Sequence, residues 1–134
     1  MKVGDNEIGL LLNVRARINI AQLTPSKTVE DINGLFTEGT EEERVEHVYR
    51  VARILNHEYE VDKRKKQGKP IDLTKDTYSI IDKDDFMTMN TKDFMAFIDE
   101  VFDVLYDRRT VIAEPKKPRS QAPKSKYMRL GFIT

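Results

Sequence analysis

The run GTEEERVEHVYRVARILNHEYEVDKRKKQGKP constrains the fold of this chain more than any other stretch. Thr40 can cap a helix and Glu43, three residues on, completes a capping box. Glu41, Glu42 and Glu43 lie where the helix dipole favours negative charge, and the far end, DKRKKQG, places cations where it favours them. Gly68 and Pro70 then stop the helix. Between the ends, Val45, Val48, Ala52, Leu55 and Tyr59 form one apolar stripe at alternating spacings of three and four. The pattern predicts a helix of about 26 residues, spanning about 41–66 and roughly 40 Å long at 1.5 Å per residue. A helix of that length serves as a spine for shorter ones.

The rest of the chain reads as those shorter pieces. Leu11, Val14, Ile18 and Ala21 recur at helical spacing and predict a first helix over 10–23, ended by Thr24-Pro25, with these four residues facing the core. Thr28 and Asp31 resemble a capping box for a short helix ending near Thr37, with Val29, Ile32, Leu35 and Phe36 on one side. The segment KPIDLTKDTYSIID reads as a connector, and DKDDFMTM as a brief helical turn that points Phe86 and Met89 inward. Asn90 or Thr91 caps a last helix, in which Phe94, Ile98, Val101 and Leu105 form the stripe and Arg108 and Arg109 fall in the last turn. MKVGDNEIG has room for one short strand. The expected fold is therefore all-α: a small bundle of about four to five helices around one long helix.

The chain has 134 residues, enough for one domain with a real core. Its net charge is zero, but the charge is segregated: residues 108–134 hold eight Lys or Arg against the single acid Glu114, which leaves residues 1–107 net acidic by seven. Pro115, Pro118 and Pro123 interrupt helix and sheet bonding in that basic region. The expected division is a helical domain over 1–110 and a basic tail over 111–134, with 114–126 a mobile cationic linker and KYMRLGFIT a docking segment.

Several chemistries find little material. There is no cysteine, so thiolate catalysis and disulfides are excluded. His47 and His57 are ten apart on the long helix, about 15 Å along its axis, too far to share a metal. Asp82, Asp84 and Asp85 lack the alternation and the glycine of a calcium loop and read as capping and solubilising residues. Asp99 and Asp103, one turn apart, suit a solvated helix face better than a general acid and base, since nothing nearby supplies a nucleophile or cleft. The glycines are scattered singly, with no phosphate-binding spacing. No stretch approaches the roughly 20 apolar residues of a membrane span, and the N-terminus lacks signal-peptide character. The expectation is a soluble, cytoplasmic, non-enzymatic protein with no metal, no cofactor and no small-molecule substrate.

Two features point to binding instead. Met95, Phe97, Phe102 and Tyr106 sit off the stripe of the last helix, which makes it apolar around more than half its circumference. Such a helix is either central in its own domain or buried again against another chain; on the second alternative Phe97, Phe102 and Tyr106 form the contact. In the tail, Lys116, Lys117 and Arg119 supply charge, and Tyr127, Leu130 and Phe132 supply apolar contact. A nucleic-acid partner is disfavoured by the acidic body and by a tail with only Tyr127 and Phe132 as aromatics.

In order and length, the short helix followed by VEDINGLF, the long helix RVEHVYRVARILNHEYEVDKRKKQG, the stretch TYSIIDKDDFMTMNTKDFMAFIDEVFDVL and the Lys/Pro-rich tail resemble the tail assembly chaperones of long-tailed bacteriophages and their prophages. The resemblance covers roughly residues 10–120; MKVGDNEIG departs from the strand-rich start of some relatives. It implies a small helical factor that coats the phage tape measure protein, self-associates, and is absent from the finished virion. It also implies a longer frameshifted form whose extension recruits tail tube subunits, with Pro115-Lys116-Lys117 a site where the common sequence would end.

Overall fold

A computed structural model describes residues 1–107 and 110–113. Strands β1 (Lys2–Val3) and β2 (Asn6–Glu7) form an antiparallel hairpin with Lys2 opposite Glu7. Its tight turn uses Gly4 at φ +59°, a left-handed conformation that costs glycine little. Helix α1 (Val14–Ala21) follows, then a 3-10 turn (Val29–Asp31), α2 (Gly34–Thr37), α3 (Glu41–Lys66), α4 (Lys83–Met87) and α5 (Thr91–Asp107). The described part is thus a small, mostly helical domain built on one long helix.

The spine forms where its sequence places it. Thr40 Oγ1 accepts from the Glu43 N–H at 3.1 Å, and Glu43 Oε1 accepts from the Thr40 N–H at 3.0 Å, so the reciprocal cap is complete. At the other end Gly68 turns at φ +69°, after four consecutive cations, Lys63 to Lys66. Val48, Ala52 and Leu55 are fully buried along the stripe. α5 crosses this face and carries the largest apolar load. Phe86, Phe94 and Phe97 make an edge-to-face cluster with centroids 5.4–5.7 Å apart, which Tyr49 joins from α3. On the other side Phe102 meets Phe36 of α2 edge-on at 4.9 Å. Such pairs add about 0.5–1.5 kcal/mol beyond area burial.

The N-terminal third departs from its periodicity. The first helix begins at Val14 rather than near residue 10, because residues 10 and 11 use their backbone groups elsewhere. Leu10 and Val111 exchange both backbone hydrogen bonds, at 2.9 and 3.0 Å, and the Leu11 N–H donates to the Leu55 carbonyl at 3.1 Å. Asn13 then caps α1, its side chain accepting from the Ala16 N–H at 2.9 Å. The expected box at Thr28 does not form. The Ser26 hydroxyl donates to the Asp31 carboxylate, and Thr24 Oγ1 accepts the Thr28 N–H at 3.2 Å. The predicted helix ending near Thr37 is accordingly broken into the 3-10 turn and α2, with Ile32, Leu35 and Phe36 buried but Val29 exposed.

Further along, Asp82 caps α4 through the Asp85 N–H at 3.0 Å, and Asn90 Oδ1 accepts from the Asp93 N–H at 2.8 Å at the start of α5. Residues 69–81 are irregular and run back along α3 as a strap. Buried Val111 extends the packed domain past residue 110, while Arg108, Arg109 and residues 114–134 lie outside the described residues.

Candidate functional site

Phe97 and Phe102, expected as contact residues, are only 2% and 0% exposed. They belong to the core of the single chain, so of the two alternatives for the over-apolar last helix the central one is realised, and these rings present no surface to a second protein. The reason is geometric. α5 is covered on one side by α3, on another by α4 and on a third by α2, so apolar side chains off its stripe find neighbours in each direction. Tyr106 is different: it is 42% exposed, and its hydroxyl donates to Asn33 Oδ1 at 3.2 Å. Lys116, Lys117, Arg119, Tyr127, Leu130 and Phe132 lie outside the described residues.

Exposed apolar surface appears instead on α1. Val14 is 73% and Ile18 56% exposed, one turn apart on the outward side, while Ala16, Ile20 and Ala21 face inward. Half-buried Leu11 precedes them, and exposed Ile112 follows Val111 on the Gly9 side of the antiparallel Leu10–Val111 bridge. This reverses the expected stripe: of Leu11, Val14, Ile18 and Ala21, only Ala21 is buried. Ala16 is fully buried in the core, where a larger side chain would have to displace packed neighbours.

What fixes the rotation of α1 is a polar clasp in the middle of α3. Glu58 is 1% exposed and receives three hydrogen bonds: from Asn13 Nδ2 at 3.0 Å and from Arg15 through Nε at 2.9 Å and Nη2 at 3.0 Å. The forked pairing needs both Arg15 nitrogens coplanar with the carboxylate, so it orients α1 as well as holding it. Burial pushes the Glu58 carboxyl up, but the hydrogen bonds from Arg15 and Asn13 and the Arg15 charge outweigh it and hold the group below the usual carboxylate range. The Arg15 guanidinium is raised in turn, first by its hydrogen bond to Glu58 and then by the charge.

The neighbours of Glu58 extend the clasp. Buried Asn56 donates to the Gly9 carbonyl at 2.9 Å and accepts from the Ser79 hydroxyl at 2.9 Å and the Ile80 N–H at 2.8 Å. His57 Nδ1 accepts the Tyr78 N–H at 2.8 Å. The Tyr59 hydroxyl accepts the Ala113 N–H at 3.0 Å, and its ring fills the space that a side chain at Gly9 would need. Four consecutive residues of one helix therefore hold the N-terminal lead-in, α1, the strap and the chain beyond α5. In the sequence this shows only as NHEY, where Asn56 and Glu58 flank the apolar stripe on its two edges. Polar residues at both margins of a stripe are a signal that loops are tied down there.

The remaining candidates are structural or peripheral. His47 Nδ1 is 2.8 Å from the Leu35 carbonyl, which ties α2 to α3. Asp82 is a cap, and Asp99 and Asp103 are half-buried on α5. Among the described residues no three His, Cys, Asp or Glu are grouped to hold a metal, and no helix is long and apolar enough to cross a membrane. No family model, curated protein or solved structure matches the chain.

Proposed function

We propose that the protein is a non-enzymatic tail assembly chaperone of the kind found in long-tailed phages and prophages, working in the cytoplasm of a bacterial host and absent from the virion. The client is the tape measure protein, a long helical partner, bound as an amphipathic helix laid along an apolar strip. The observation that carries this reading is the outward pair Val14 and Ile18 on a helix clamped by Arg15 and Asn13, so the strip is presented rigidly and loses little freedom on binding. The sequence resemblance over roughly residues 10–120 supports it independently. Tyr106 and the segment holding Lys116, Lys117, Arg119, Tyr127, Leu130 and Phe132 are assigned to self-association and to contact with tail tube subunits.

The test is a titration of tape measure fragments from the same genome against wild type and the double variant Val14→Ser/Ile18→Ser. Binding about tenfold or more weaker in the variant is expected, the loss of two anchors in a small apolar contact. Equal binding by both proteins, or none by either, removes the reading.

A second reading follows from the eight Lys or Arg of residues 108–134: a nucleic-acid-binding protein acting through its basic end. It requires an electrophoretic shift at low salt whose log affinity falls linearly with log salt and which vanishes when residues 114–134 are removed.

A further inference from the structure

Of the four clasp residues, Asn56, Glu58 and Tyr59 hold their partners with groups that keep the same hydrogen-bonding role throughout the neutral range. His57 does not. The Tyr78 N–H donates to its Nδ1 at 2.8 Å, and Thr77 Oγ1 lies 3.4 Å from the same nitrogen. A backbone N–H can only donate, so Nδ1 must offer a lone pair and the ring proton must sit on Nε2. Nε2 lies 3.8 Å from Glu58 Oε2. A second proton on the ring would set an N–H at Nδ1 head to head with the Tyr78 N–H. Turning the ring over would bring a C–H there instead. Either way the bond is lost.

We propose that His57 is a proton-sensitive latch on the strap: as a neutral imidazole it holds residues 72–78 against α3, and on taking up a proton it releases them.

The surrounding charges leave the hydrogen bond to decide. From α3, Arg53, Glu58 and Arg64 face this region; from the strap, Lys75, Asp76 and Tyr78; from α1, Arg15. Glu58 Oε2, 3.8 Å from Nε2, favours a charged ring but shares its charge with Arg15 at 2.9 Å, and Asp76 is paired with Arg53 at 2.8 Å; neither carboxylate restores an acceptor for the Tyr78 N–H. Arg64 and Lys75 flank the Tyr78 ring at 4.9 and 4.6 Å, and the imidazole centroid lies 6.0 Å from that ring. A third cation there adds repulsion.

The release is graded along the strap. Tyr78 is the hub of its first part, because its hydroxyl also accepts the Asp72 N–H at 2.6 Å. Ser79 and Ile80 are held separately by Asn56, and Ile81 is packed in the core. Protonation therefore removes the backbone tie at Tyr78 and leaves 72–78 held to α3 by the exposed Arg53–Asp76 pair, while 79–81 stay. The exposed Leu73 and the two cations over Tyr78 are the groups set free to reorient.

The experiment is site-resolved amide hydrogen exchange on the full chain at about pH 7.5 and about pH 5, a span in which histidine side chains as a class change charge, for wild type and His57→Asn. Asn offers a carbonyl oxygen that accepts at either pH. The protection factor of the Tyr78 amide in wild type should fall three- to tenfold at the lower pH, about the worth of one hydrogen bond, with Ile80 unchanged and His57→Asn flat. A Tyr78 amide that tracks Ile80, or an equal fall in the variant, overturns the proposal. Should His57→Asn not fold, the nitrogen shifts of wild type decide: the Tyr78 amide must titrate with the His57 ring, and an amide that holds its shift while the ring protonates is an equally clear refutation.

Discussion

α1 and α5 are both amphipathic helices laid against α3, and they treat their apolar residues in opposite ways. α5 turns inward even the rings that lie off its main stripe, Phe97 and Phe102, because α2, α3 and α4 surround it. α1 turns outward two members of its stripe, Val14 and Ile18, and buries Ala16 and Ile20. The difference lies in what sets each helix's rotation about its axis. α5 is oriented chiefly by apolar packing against α2, α3 and α4. α1 has only eight residues and is oriented by a few directional bonds, the fork from Arg15 and the amide of Asn13 on Glu58. Where burial is plentiful it decides which side faces in; where the helix is short, one buried carboxylate can override it.

The contrast can be broken most forcefully at Phe102. Replacing Phe102 by Ala should cost about 3–5 kcal/mol in chemical denaturation, the usual loss for a fully enclosed ring. A loss below about 0.5 kcal/mol, the range of ordinary surface changes, would mean that α5 is not the interior helix. Next comes Glu58→Gln, which removes the charge that orients α1 and should cost about 1–3 kcal/mol at neutral pH. It also carries a pH signature. The folded-state carboxyl lies below its ordinary value of 4.5, so its contribution is present above that value and lost as the pH falls through the lower folded value. Wild type should therefore lose more stability than Glu58→Gln between pH 7 and the acid range below 4.5, as read from denaturation midpoints at each pH. Parallel curves would count against the clasp. The smallest effect sharpens the comparison: Val14→Ser/Ile18→Ser should shift stability by no more than about 0.5 kcal/mol, so that any loss of binding in that variant reports on surface and not on folding.

How much of this was open to a reader of the sequence depends on the range over which each feature is specified. α3 was legible to its terminal residues, because Thr40, Glu43, the cations of its last turn and Gly68 are local signals read within one turn of each end. α5 was legible as a helix, and its excess of apolar residues signalled burial without saying against what. The rotation of α1 was not legible. A spacing of three and four marks a stripe, but it cannot weigh that stripe against Glu58, which is 43 residues away from Arg15 in sequence and in direct contact in space. The pairing of Leu10 with Val111 was hidden for the same reason: a single bridge has no periodicity. It delays the start of the first helix to Val14 and extends the packed domain past residue 110.

That bridge also settles how force enters the molecule. Leu10 and Val111 enclose nearly the whole described chain as one loop, and Ala113 is fastened to Tyr59 two residues later. Loop closure over so many residues costs entropy that is recovered only once the helices are in place, so this contact should form late and yield early. A pull on the chain beyond Ala113 is delivered first to Tyr59 and to the lead-in of α1, at the far side of the molecule in sequence. The segment Val111–Ala113 and the lead-in of α1 are thus mechanical neighbours, joined through two backbone bonds and a phenol.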